Sequence, residues 1–351
     1  MIRRVVSIVL LLVASLVGLA GCGRSSGPDT AKAGSVAVVT ESAPSPTGGR
    51  HRLQLVTTVS PITSIVSRVA GDAADVHGVV PEGTNSHTFE PSPKLAKQFA
   101  KADVVYVNGL QLEEPTVKLA EKNIPKTAII VELGSATITD AEQIFDFSFP
   151  KEDGRPNPHL WTNPHYARRY CELVRDDLKQ RDPANAATYD ANATAFIAQI
   201  DALSSATEVG TATVPSAARK LLTYHDSFPY FARDFGWTVI GAIQPSDFAE
   251  PTPKEVVSLI EQVRKEKVPV IFGSEVFPSA VLEQIGKEAG VKYVDTLRDD
   301  DLPGNPGDPE HSYLGLMRAD FVTIVSALGG DPSALKALDI SAPNDTAEYP
   351  Q

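Results

Sequence analysis

The chain has 351 residues, 42% of them hydrophobic, and a formal charge of −12. That length bounds the count to one large or two ordinary domains behind any leader, and the acidic balance excludes the basic face that nucleic-acid phosphates require. Of the two cysteines, Cys22 ends an N-terminal leader, which leaves Cys171 alone and excludes an internal disulfide.

Arg3 and Arg4 precede an apolar run over 5–20 that closes in Leu19-Ala20-Gly21-Cys22. A charged start, a short apolar stretch and small residues before a cut describe a secretory signal over 1–21. The run is shorter than the ~20 apolar residues of a membrane-spanning helix. Leu-Ala-Gly-Cys resembles the lipobox of bacterial lipoproteins, which implies cleavage after Gly21 and a diacylglycerol on the Cys22 sulfur. Residues 22–50 are rich in Gly, Ser, Ala, Thr and Pro, without apolar periodicity. They read as a disordered tether with a mean reach of roughly 30 Å.

Short apolar strands then alternate with amphipathic helices, the pattern of α/β layers on parallel sheets. Over 51–181, strands are expected at 53–59, 76–80, 103–107 and 128–133, with helices at 61–70 and 93–100. Ser92-Pro93, Asn163-Pro164, Asp182-Pro183 and Thr252-Pro253 each place a capping side chain before a proline. Thr252 with Glu255 fits a capping box. From Asp182 a long helix holds Tyr189, Ala193, Phe196, Ile197, Ile200 and Leu203 on one face and runs to about 207. The alternation resumes over 208–335, with strands at 221–224, 238–242, 268–272 and 291–294 and helices from Ser227, Thr252, Pro278 and Ser312. The expected fold is therefore two Rossmann-like α/β lobes joined by one helix, followed by a loosely ordered tail over 336–351. Cys171 shares a helical stripe with Tyr170, Val174 and Leu178, which predicts a buried, inert thiol.

Three of the seven histidines have similar settings. His87 lies in the loop after the 76–80 strand, His159 stands just before a helix, and His225 ends the 221–224 strand. Asp295 ends the 291–294 strand. In open α/β sheets, ligands bind beyond the carboxyl ends of strands, so two residues from each lobe can converge on one cleft. Three neutral imidazoles and a carboxylate make a four-donor cage of net charge −1 for a divalent ion, with imidazole favouring zinc and carboxylate moving the preference toward manganese.

The strings NSHTFEP, NPHLWTNP, TYHDSFPYFARDFG, EPTPKEV and SYLGLM stand in the same order as in the zinc/manganese class of ABC-importer solute-binding lipoproteins, and the resemblance runs from about 53 to 330. It implies two lobes bridged by a rigid helix, with His87, His159, His225 and Asp295 as the metal ligands. Asp299 and Asp300, close by in sequence, remain alternatives for the fourth position. It also implies a lipid-anchored, extracytoplasmic monomer that binds Zn(2+) or Mn(2+) as cargo, zinc first, and hands it to an ABC permease and its ATPase. Some relatives are described as adhesins.

Asn157 and Asn163 stand where the family has acids, which predicts weaker support for the central histidine. Residues 141–154 hold acids but lack the histidines that zinc receptors often carry there. His51 is assigned to the tether boundary, His77 to a strand, His165 to a helix start and His311 to a solvated acidic loop. The competing functions are a secreted metal-dependent hydrolase and a surface adhesin. Catalysis needs an open coordination position, which four protein ligands do not leave, so the chain is expected not to be an enzyme.

Overall fold

The computed structural model describes residues 51–146, 148–243, 251–274 and 279–350. The expected signal, the tether, Cys22 and the helix start at Pro278 lie outside these residues. In the N-terminal lobe, strands β1 (Leu53–Thr57), β2 (Ala74–Gly78), β3 (Val104–Val107) and β4 (Ile129–Glu132) form a sheet of order β2-β1-β3-β4. Every pairing in it is parallel. Helices α1 (Ser60–Ala70), α2 (Ala96–Phe99), α3 (Glu114–Asn123) and α4 (Leu133–Thr137) connect the strands and close the lobe.

Strand alternation explains the layering. Leu55, Val104 and Tyr106 face the central core with α1, whereas Val56, Val105 and Val107 face an outer cluster with Phe99 and Ala120. A parallel sheet covered on both faces needs this near-continuous apolar sequence.

Helix α5 (Pro164–Arg181) is capped by Asn163, whose side chain accepts from His165 N. A short 3₁₀ turn at Pro183–Asn185 separates it from α6 (Ala186–Thr213), which forms the long link between the lobes. The helix continues through Gly210 to Thr213, past the expected end near 207. Gly210 sits where a Cβ would lie 3.3 Å from Leu335, so its lack of a side chain serves packing rather than termination. Val214 then turns extended ahead of Pro215, as a residue before proline tends to. Cys171 is buried, and burial pushes its thiol up to about 12.

The C-terminal lobe repeats the plan with β5 (Lys220–Thr223), α7 (Pro229–Phe235), β6 (Thr238–Ala242), α8 (Pro253–Glu266), β7 (Val270–Ser274), α9 (Ala280–Ala289) and β8 (Lys292–Leu297). Its parallel sheet has the order β6-β5-β7-β8. The capping box of Thr252 and Glu255 opens α8. Helix α10 (Tyr313–Ala327) follows, then α11 (Ser333–Lys336).

One apolar core runs from Leu55 through Trp161, Tyr189 and Phe231 to Phe321. It joins residues of both lobes to the long helix, so opening the cleft widely would expose packed aromatic surface. The expectation of a loose tail is overturned. Leu335 and Ile340 are buried, and Glu348 pairs in parallel with His77 beside β2. Anchored apolar side chains and an edge strand with free backbone groups hold the tail down.

Candidate metal site

His87 follows β2 in a loop where Asn85 Oδ1 accepts from His87 N at 3.0 Å. His159 stands at the turn into α5, wholly buried. His225 sits two residues past β5. Their Nε2 atoms converge, with His87 Nε2 3.0 Å from both His159 Nε2 and His225 Nε2. Two donors of one tetrahedral zinc, each at its usual bond length, stand about 3.3 Å apart. The trio is therefore already close to a coordinating geometry.

The carboxylate that joins them belongs to Asp300. One donor atom from each of His87, His159, His225 and Asp300 lies within 4.8 Å of all the others. Asp300 Oδ2 accepts from Ser86 Oγ at 2.7 Å, while its Oδ1 is buried without a hydrogen-bond partner. A buried carboxylate oxygen left unsatisfied next to three imidazoles is costly unless a cation completes it.

Asp295 is exposed within β8 and lies outside this group. The expected strand ended at 294, whereas β8 continues to Leu297. The carboxyl end of the strand, where ligands gather, is thus displaced to the acidic turn at 299–301. Asp299 makes that turn at φ +53, a left-handed conformation that Asp tolerates better than most residues.

His159 is the best supported of the four. Asn157 Oδ1 lies 2.8 Å from His159 Nδ1 and also accepts from His159 N. Asn157 Nδ2 donates to Asp146 Oδ2 and to Asp226 O, so the amide can point only one way. That contact places the imidazole proton on Nδ1 and turns the Nε2 lone pair inward. The expected weakening from an asparagine here is not what the structure shows, because an amide oxygen accepts the same hydrogen bond as a carboxylate. Asn163 likewise serves as the α5 cap and donates to Asp234 Oδ2 at 2.7 Å.

Several bonds tie the C-terminal lobe, its acidic turn included, to the N-terminal lobe. Trp161 Nε1 donates to Asp299 O and Thr162 Oγ1 to Ser227 O. Gly83 N donates to Asp301 Oδ1 at 3.0 Å. Phe149 and Trp161 flank the histidines, with ring centroids 5.9 and 5.1 Å from that of His159. A cavity of about 160 Å³ reaches His87 past Gln111, Phe149, Asp153 and Arg155.

Burial sets the protonation states. It holds His87 and His159 well below the ordinary imidazole value, aided by the neighbouring rings, and lowers His225 to about 4. Burial and then Asp299 push Asp300 well above the ordinary carboxyl range. Burial, with Asp320, raises Asp299 to about 8. The imidazoles are therefore neutral and ready to bind, whereas burial favours the protonated form of Asp300.

The remaining histidines are elsewhere. His51 reaches Asp103, His77 reaches Glu348, and His165 stacks on Phe235. His311 is buried, against the expectation of a solvated loop, with its ring edge-on to Tyr349 at 4.7 Å. His311 itself turns inward toward the tail, whereas residues 304–310 of its loop are exposed.

Residues 55–327, more than half of the chain, match the family described as zinc-uptake complex component A, periplasmic. The iron-binding protein YfeA of Yersinia pestis is 29% identical over 84% of this chain and 92% of its own length. The manganese-binding lipoprotein MntA of Halalkalibacterium halodurans is 26% identical over 79% of this chain and 88% of its own. The fold is similar to that of the periplasmic zinc-binding protein TroA from Treponema pallidum, with a TM-score of 0.72, 24% identity, and coverage of 79% of this chain and 99% of that one.

Proposed function

The chain belongs to the zinc-uptake complex component A family, and from that premise we propose that His87, His159, His225 and Asp300 capture one divalent transition-metal ion for delivery to an ABC importer. Membership makes it a binding component and not an enzyme. The observation that carries the reading is the approach of four donors, from sequence positions 66–213 residues apart, to within 4.8 Å of one another.

Zinc is the preferred cargo in this reading, with manganese the competitor. Three neutral imidazoles against a single carboxylate favour zinc, and the affinity order of divalent ions runs the same way. The relatives' names span iron, manganese and zinc. Elemental analysis of protein purified without added metal, followed by competitive zinc and manganese titration, tests the preference. Zinc in near one-to-one amount supports it, and tighter manganese binding defeats it.

Binding proceeds through the chain's own groups. The metal meets three lone pairs fixed by burial and by Asn157, and takes Asp300 as a carboxylate, so any proton held there leaves on binding. All four donors come from one chain, so a monomer suffices. Among the described residues no helix is long and apolar enough to cross a membrane. Attachment is proposed to rest on lipid at Cys22, supported by the lipobox and by relatives named lipoproteins. Cys22→Ala should move the protein from the membrane fraction into the culture fluid or periplasm, and persistence on the membrane would refute that anchor.

A further inference from the structure

The family match stops at 327, yet residues beyond it make specific contacts with the N-terminal lobe. Asn344 Nδ2 donates to Arg68 O at 2.7 Å, and Asp345 Oδ2 accepts from Ser64 Oγ at 2.9 Å. Ser64 Oγ in turn accepts from Tyr313 N at the start of α10. Glu348 then extends the N-terminal sheet past its β2 edge, donating from its N to Val76 O and accepting at its O from Gly78 N. These contacts press the segment onto α1 and β2 of the N-terminal lobe.

The far end of the segment touches the other ligand-bearing stretch. Tyr349 Oη donates to Asp345 Oδ2 at 2.9 Å, and its ring lies edge-on to His311. His311 closes the loop that begins at the acidic turn of Asp300. On its other side His311 Nε2 stands 3.6 Å from Glu82 Oε1, in the loop that carries His87. His311 is therefore held between the tail and the first ligand loop.

We propose that residues 339–350 form a strap that positions the Asp300 loop against the N-terminal lobe and so slows release of bound metal. Tyr349 and Glu348 are positioning residues in this account and touch no metal. A loop of proline, glycine and acidic residues over 303–310 has little apolar surface of its own to hold it. The strap supplies the missing contact through the Tyr349 ring on His311, and the Glu348 pairing with β2 anchors the strap itself. Release needs Asp300 to leave the three histidines, so a freer loop raises the rate of departure more than the rate of arrival.

The inference rests on the metal-receptor reading, and its test separates the two. Full-length wild type, Tyr349→Ala, Tyr349→Phe and Glu348→Pro are loaded with zinc, and release to excess chelator is followed by stopped flow. The Ala and Pro variants should release metal about five- to tenfold faster, the size expected for coupling through a packed network. Tyr349→Phe keeps the ring on His311 and should stay within about twofold of wild type. Association rates should be nearly unchanged in all four. Wild-type release kinetics in both Ala and Pro variants would overturn the strap while leaving metal capture intact. Equal acceleration by Phe and Ala would also overturn it, because the ring would then be irrelevant. A wild-type chain that binds no zinc or manganese would defeat the metal reading and this inference with it.

Discussion

The two ligand-bearing ends of the cleft are built on different principles. On the N-terminal side His159 is wholly buried, and a single amide fixes its tautomer. On the C-terminal side Asp300 sits in a turn of three acids, with a left-handed residue before it and a raised affinity for protons. One side is prepared for metal at any physiological pH; the other must be deprotonated and held in place. The difference suggests how one site binds tightly and still releases: the histidines fix position, and the acidic turn supplies the adjustable contact.

The most disruptive test of this contrast exchanges the two candidate carboxylates. Asp300→Ala should weaken zinc binding by more than about 100-fold, exceeding the loss usual for a supporting group. Asp295→Ala should leave binding within about twofold of wild type, because Asp295 faces solvent on β8. Competitive titration with a calibrated chelator measures both. Equal losses would erase the distinction between them.

A smaller effect is expected behind His159. Asn157→Leu removes the acceptor for Nδ1 and should cost about 10–100-fold in affinity. Asn157→Asp should retain most of it. A tolerant Leu variant would show that burial alone orients the ring.

Acidity probes the other side. Asp300 binds metal as a carboxylate, and its pKa in the metal-free site is raised, so below that value each binding event expels a proton. Affinity should therefore fall by about tenfold per pH unit on acidification through this range. The imidazoles, with His225 lowered to about 4, add a steeper loss only near that pH. Calorimetry in buffers of different ionisation enthalpy would report proton release that grows as the pH falls through this range. Loss of affinity centred at the ordinary imidazole value would instead assign the titration to histidine.

The smallest expected change is in shape. The shared core across the lobes and α6 predicts scattering profiles that nearly coincide with and without metal, and a large compaction would show hinge closure instead.

Much of this was legible in the sequence. The alternation of apolar strands with capped helices set out both lobes, and His87, His159 and His225 were marked by their places at strand or helix ends. Asp300 stood only as an alternative to Asp295, because Thr296 and Leu297 continue β8 beyond the apolar stretch that reads as a strand. Periodicity locates the middle of a strand better than its end, and a three-residue error there moves the ligand from one acid to another. The role of Asn157 was missed for a different reason. Charge was read as the feature that supports a histidine, whereas the hydrogen bond needs only an oxygen in the right place. Pro343 and Pro350 favour a loose tail when the sequence is read alone. Their effect on helices is real, but Leu335, Ile340 and an open strand edge decided its path.

The central claim is that four side chains share one ion. Anomalous diffraction from crystals of the zinc-loaded protein tests it most directly. The account predicts a single strong peak bonded to the Nε2 atoms of His87, His159 and His225 and to a carboxylate oxygen of Asp300. A peak bound elsewhere, or one that leaves Asp300 beyond bonding distance while Asp295 or another acid takes its place, would contradict it.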